Sequence, residues 1–241
     1  MIVMKSLIQY LFEALVNRSE LEKNLKFEKT TSDEILDILD TDEYNHFEDL
    51  IGEKMSKNEF RESVFLFDSC TPYKILYEDK LVGVFSLMLP KSLSKLQDDS
   101  YEDYILFAQT LIPIYKSLKD NYNFNVIDKT DYEKYDTRRD FVNNILSKSA
   151  YIGLWQISSE AKKKIDINQI ALIKVFFERL LAILKSEHVT YIMAHGKDAH
   201  RAKGYVNVGG FTNPIDIFKK YGGIMYTNSP ELFDGFVIKR I

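Results

Sequence analysis

Apolar residues recur at two spacings along this chain, and the alternation between helical and strand periods marks out its elements. Leu7, Ile8, Leu11, Phe12, Leu15 and Val16 form one stripe of an amphipathic helix. Leu25 and Phe27 then alternate with charged neighbours, which predicts a short strand from Asn24 to Lys29. Thr31-Ser32-Asp33-Glu34 offers a cap and an acidic first turn for a helix carrying Ile35, Leu36, Ile38 and Leu39. Tyr44 to Met55 continues helically. Tyr73 to Tyr77 and Leu81 to Leu89 are β-rich runs separated by Glu78-Asp79-Lys80, the spacing of an antiparallel hairpin, with Pro90 closing it.

From Lys91 to Ser149 the pattern turns helical, with Tyr101 to Leu118 and Tyr132 to Leu146 as helices and Asn121 to Lys129 as a loop or short strand. Ala150 to Ile157 is an apolar run containing the only tryptophan, followed by a lysine-rich loop from Ser158 to Asp166. Asn168 to Lys185 is the clearest helix, its broad stripe made by Ile170, Ile173, Phe177, Leu180, Leu181 and Leu184. Val189 to Ala194 predicts a strand, Asp198 to Val208 a short helix ending at Gly209-Gly210, and Gly223 to Thr227 and Gly235 to Ile241 two closing strands. Strands and helices are mixed along the chain, so the class is α/β or α+β. The expected organisation is an N-terminal amphipathic helix within residues 1–23 and a single domain over 24–241.

Composition narrows the functions. With 15 Tyr and 16 Phe and only 10 Gly and 5 Pro, the chain can bury a large core and is not loop-dominated. A formal net charge of −4 gives no general attraction to nucleic acid or to an anionic membrane, and no basic stripe interleaves with aromatic residues. The lone cysteine, Cys70, excludes an internal disulfide and a cysteine-based zinc site. His195 and His200 lack a third ligand, so no metal is expected. Lys5, Gln9 and Glu13 interrupt the first apolar stretch, which therefore lacks the pattern of a secretory signal. No run is long enough to span a bilayer, and the expectation is a soluble, cytoplasmic protein.

Four segments carry a resemblance. Tyr73 to Leu89, YKILYEDKLVGVFSLML, is a hairpin whose second strand begins Leu81-Val82-Gly83. Ala150 to Leu184 reads as strand, lysine-bearing loop and helix. Asp198 to Phe211, DAHRAKGYVNVGGF, is a helix with a tyrosine shortly before Gly-Phe. The front, LKFEKTTSDEILDIL, is a strand and an acidic helix. In this order they resemble the GNAT superfamily of N-acetyltransferases, covering most of Asn24 to Ile241 and leaving residues 91–149 as an enlarged helical insertion.

The resemblance implies a mixed central sheet flanked by helices and transfer of an acetyl or other acyl group from acyl-CoA to an amine. Two neighbouring strands would splay, freeing main-chain groups for the pantetheine arm, while a helix N-terminus receives the pyrophosphate. Leu154, Trp155, Gln156 and Ile157 would line the arm. Lys162, Lys163, Lys164, Ile165, Ile167 and Asn168 would cradle the phosphates, although Ile165 and Ile167 stand where the family pattern has glycines. Lysine charge then substitutes for close main-chain approach. Tyr205 either serves as the general acid that protonates the departing thiolate or simply packs the end of its helix. His195 and Glu160 are the candidate general bases.

A second resemblance lies at the front. Met4 to Ala14, MKSLIQYLFEA, is similar to the capsid-targeting leaders of internal head proteins in large tailed phages, which a prohead protease removes after Leu/Ile-x-Glu. It implies docking to a scaffold core, a cut between Glu13 and Ala14, and residence in the virion interior and then the host cytoplasm. A non-catalytic GNAT-like protein, packaged in a head and injected to engage a host protein, is the alternative that this resemblance opens. The same stripe could equally pack on the domain itself.

Overall fold

A computed structural model of the chain describes residues 18–31, 33–34, 69–99, 101–120, 125–157, 169–195, 205–207, 209–216 and 235–241. The expected leader, the acidic helices between residues 35 and 55, the lysine-rich loop and the strand expected at 223–227 lie outside these residues.

Alternation does what it predicts. Strands β1 (Leu25–Lys29), β2 (Thr71–Tyr77), β3 (Lys80–Met88), β4 (Ser149–Ile157), β5 (Tyr191–His195) and β6 (Phe236–Arg240) form one sheet in sequence order. All neighbours are antiparallel except β4 and β5, which are parallel. A parallel pair needs a crossover, and the long helix α6 (Gln169–Ser186) supplies it. The protein is therefore a mixed α+β fold with helices on both faces of the sheet.

The two faces bury different partners. On one, Leu25, Tyr73, Ile75, Phe85, Leu87, Ala150, Ile152, Ile192, Ala194 and Val237 pack against Val175, Phe176, Phe177, Leu180 and Leu184 of α6. Leu21, on the short helix α1 at residues 18–24, joins the same cluster and is fully buried. Arg18 pairs with Glu178 at 2.9 Å, and Arg179 donates to the Glu22 carbonyl, so α1 is tied to α6 by polar contacts as well. On the other face, Met88, Tyr151, Tyr191, Met193, Phe236 and Ile238 pack against helices contributed by the segment between β3 and β4. These are α2 (Pro90–Asp99), α3 (Tyr101–Lys119), α4 (Thr130–Glu133) and α5 (Arg138–Leu146).

Two local details differ from the sequence reading. The hairpin loop is two residues long, because Lys80 already pairs with Tyr77; Glu78 and Asp79 take φ of 52° and 61°. That left-handed pair matches the twist of the flanking strands, which outweighs the absence of glycine. The expected helix from Tyr132 to Leu146 is broken in two, since Thr137 adopts an extended conformation and its side chain caps α5 through the Asp140 N–H.

A buried polar cluster locks the insertion to the sheet. Asp131 on α4 accepts from Lys148 Nζ at 2.5 Å, from Asn144 Nδ2 at 3.2 Å and from the Tyr191 hydroxyl at 2.5 Å. The Tyr191 oxygen in turn accepts from the Asp128 N–H at 3.0 Å. The Lys148 carbonyl takes the N–H groups of Thr190 and Tyr191, at 2.8 and 3.1 Å, which brings the starts of β4 and β5 together.

Between β3 and β4 the register slips once. Phe85 faces Trp155 and Leu87 faces Ile152, so Ser86 stands opposite both Gly153 and Leu154. This is a β-bulge, which bends the longer strand and increases its twist. A Cβ at Gly153 would lie 2.9 Å from Ser86 Oγ and 3.2 Å from Cys70 Sγ, so any larger residue at the bulge must displace these two side chains.

Two outcomes are expected. Burial alone would raise the Asp131 pKa, but its hydrogen bonds from Lys148, Tyr191 and Asn144 prevail and hold it below its ordinary 3.8. A carboxylate depressed on folding stabilises above the unfolded value and loses that contribution as pH falls through the folded one. Asp131→Asn should therefore cost about 1–3 kcal/mol near neutrality, and the deficit should vanish in acid, as read by urea titrations across pH. Gly153→Ala should destabilise by about 1–3 kcal/mol through overpacking, with part of the loss recovered in a double-mutant cycle with Ser86→Ala.

Candidate functional site

Strand pairing changes at the bulge. On its β5 side, β4 is paired only from Ser149 to Ile152, matched to Tyr191 through Ala194. It then runs on to Ile157, held on its other side by Gly83 to Phe85 of β3. Strand β5 ends one residue later, at His195, which pairs with Phe236 of β6. From Gly153 onward, the β5-facing main-chain groups of β4 thus have no strand partner among the described residues. Main-chain groups are strong hydrogen-bonding groups and need a partner when removed from water.

Aromatic rings line the α6 face beneath this edge. Tyr73, Phe85 and Trp155 stand directly opposite one another across β2, β3 and β4. Tyr73 stacks on Phe85 at 4.7 Å, and Trp155 lies flat on Phe176 of α6 at 4.4 Å and 12°. Phe177 and Tyr205 meet Trp155 at steep angles, with centroids at 5.7 and 6.1 Å. The tryptophan therefore packs on the sheet face against α6. Its indole Nε1 is buried and has no hydrogen-bond partner among the described residues.

Tyr205 is held at the rim of this array. Its ring contacts Phe177 at 5.9 Å and Phe211 at 5.4 Å, and its carbonyl accepts the Phe211 N–H at 3.2 Å. The turn between them needs its two glycines: a Cβ on Gly209 would meet the Phe211 ring at 2.8 Å, and Gly210 has φ of 66°. Thr212 then exchanges both main-chain bonds with Ile238 of β6, at 2.8 and 2.9 Å. Lys239 Nζ donates to the Gly209 carbonyl at 2.6 Å, its burial lowering the ammonium pKa. Tyr205 is thereby strapped to the sheet by residues that only the fold brings near it.

The groups around the bulge are neutral. Burial pushes the Cys70 thiol up to about 12 despite its bond to Ser86, and it pushes the Tyr205 hydroxyl up as well. Tyr151 on β4 is raised by burial and further by its electrostatic coupling to Tyr205 and Cys70. These three side chains keep their protons through the physiological range.

Of the residues expected to form the site, Trp155 and Tyr205 are brought together. The backbone of Leu154, Gln156 and Ile157 lies on the unpaired stretch of β4. His195 occupies the end of β5, on the same strand face as Met193 and Tyr191 by alternation. Glu160, Lys162, Lys163, Lys164, Ile165, Ile167 and Asn168 lie outside the described residues. Immediately after them α6 begins, and its first turn carries no acidic residue, so the positive end of the helix is not neutralised from within. Phe176, Tyr151, Gly153 and Lys239 are site neighbours that the sequence reading did not single out. Gly153 alone carried a local signal, an isolated glycine within a strand pattern.

Among the described residues no group of three His, Cys, Asp or Glu side chains could hold a metal ion, and no helix is long and apolar enough to cross a membrane. Comparison with family models, with curated proteins and with solved structures yields no match to this chain.

Proposed function

We propose that this chain is a GNAT-like N-acyltransferase that moves an acetyl or other acyl group from acyl-CoA to an amine. One observation carries the reading: β4 and β5 are parallel and adjacent, yet their pairing stops at Ile152 and Ala194 while β4 continues to Ile157. A parallel pair that parts at the end nearest a helix N-terminus offers free main-chain groups beside a positive helix end. An elongated amide-bearing arm with a phosphate at one end has the complementary groups.

The residues present fit such a substrate. The open edge of β4 from Gly153 to Ile157 would hold the arm, with the start of α6 and Lys162, Lys163 and Lys164 taking the phosphates. Acyl-CoA supplies the activated acyl group when bound. Tyr205 holds a proton at its hydroxyl and stands ready to donate it to a departing thiolate, its position fixed by the Gly209-Gly210 turn and Lys239. His195 and Glu160 are the groups proposed to take the proton of the acceptor amine.

The alternative is a non-catalytic binding protein of the same fold, packaged in a phage head and delivered to a host partner. The specific observation in its favour is Ile165 and Ile167 at positions where close phosphate approach calls for glycine.

Thermal unfolding with CoA and acetyl-CoA separates the two. At a ligand concentration about 100-fold above Kd, the acyltransferase reading expects the Tm to rise by roughly 5–10 °C. Replacing Lys162, Lys163 and Lys164 by alanine should weaken binding about tenfold or more. Tyr205→Phe should keep the binding and lower kcat by roughly 10²- to 10⁴-fold in an amine-acetylation assay. An unchanged Tm with both ligands would discard the acyltransferase in favour of the binding protein.

A further inference from the structure

The indole of Trp155 holds a hydrogen-bond donor at the edge where β4 has lost its neighbour. Its Nε1 is buried, and no acceptor among the described residues reaches it. An indole N–H can only donate, and leaving it uncompensated in the interior is unfavourable. The nearby rings of Phe177 and Tyr205 are weak acceptors at most. Stacking alone gives no reason for the nitrogen, since a phenylalanine would lie on Phe176 without bringing an unmet donor. The position is also particular: Trp155 pairs with Phe85 on one side and sits past Ile152, the last residue of β4 matched to β5.

We propose that Trp155 is a ligand-binding residue whose Nε1–H donates to an amide carbonyl oxygen of the acyl-carrying arm lying along β4. The inference rests on the acyl-CoA reading and adds to it a side-chain contact that the exposed main chain does not provide. The class of ligand group follows from the donor: it must be an acceptor, uncharged enough to enter an aromatic surround, and borne on an extended molecule that follows the strand. An amide carbonyl meets all three conditions. The ring stack on Phe176 fixes the indole plane before the ligand arrives, so little side-chain ordering remains to oppose binding.

The chain has a single tryptophan, so the ¹⁵N-labelled full-length protein has one indole cross-peak. Titration with coenzyme A should move that peak downfield and slow its exchange with water. Trp155→Phe, which keeps a ring on Phe176, should bind coenzyme A roughly fivefold to tenfold more weakly by calorimetry. If coenzyme A gives a saturating isotherm with the wild-type chain while the indole peak stays in place, the donor role is wrong and the acyl-CoA reading survives. A shifted peak with undiminished affinity in Trp155→Phe also overturns it, since proximity without a bond gives that pattern. Absence of both heat and shift in the wild-type chain sinks the inference together with the reading it rests on.

Discussion

Every main-chain N–H and C=O that leaves water needs a partner, and among the described residues the outer half of β4 has a strand partner on one side only. Strand β3 satisfies β4 along both halves of its length, at the cost of one bulged residue. Strand β5 satisfies it only from Ser149 to Ile152. The two strands differ in length: β5 starts beside Lys148 and runs five residues to His195, whereas β4 runs nine, from Ser149 to Ile157. Much else in the site answers to this difference in strand length, including the glycine at the bulge and the aromatic cover beneath it.

Aromatic rings suit such a place because they cover a sheet face without requiring hydrogen bonds of their own. Phe176 and Phe177 come from successive positions on α6 and reach different rings, one flat on Trp155 and the other at steep angles to Trp155 and Tyr205. The polar atoms that enter on this face include Trp155 Nε1 and the hydroxyls of Tyr205 and Tyr73, all uncharged. Burial raises the pKa of both phenols, so the surround combines low polarity with proton donors. Lys239 brings the one ammonium contact described for the turn that follows Tyr205, and that contact is to a main-chain carbonyl.

The elements were legible in the sequence wherever burial is one-sided. The alternation of Leu25 and Phe27, the hairpin around Glu78-Asp79 and the broad stripe of α6 each reappear within a residue or two of the expected bounds. The break at Thr137 was written in Thr137-Arg138-Arg139-Asp140, a capping pattern before an apolar run, but the helical spacing on either side of it masked that signal. The site was legible only in part. Trp155 and Tyr205 could be placed by their order along the chain, but their ring contact depends on the fold, in which Phe177 of α6 touches both, and Phe176 lies off the stripe that the sequence marks. Lys239 and Gly209 are distant in sequence, and neither residue type announces the bond that joins them. The Asp131 cluster draws on Asn144, Lys148 and Tyr191 through the docking of two short helices, for which no spacing rule exists.

That cluster has a geometric corollary. Lys148 and Tyr191 pin the first residues of β4 and β5 at one point, with Asp131 as the rivet. The pairing that follows runs over four residues, Ser149 to Ile152 against Tyr191 to Ala194, so the strands are fixed side by side over roughly 10 Å, at about 3.3 Å per residue. Beyond it, Gly83, Val84 and Phe85 of β3 hold β4 from Trp155 to Ile157, and the stack of Trp155 on Phe176 ties the same stretch to α6. The stretch of β4 without a β5 partner is thus anchored from two other sides.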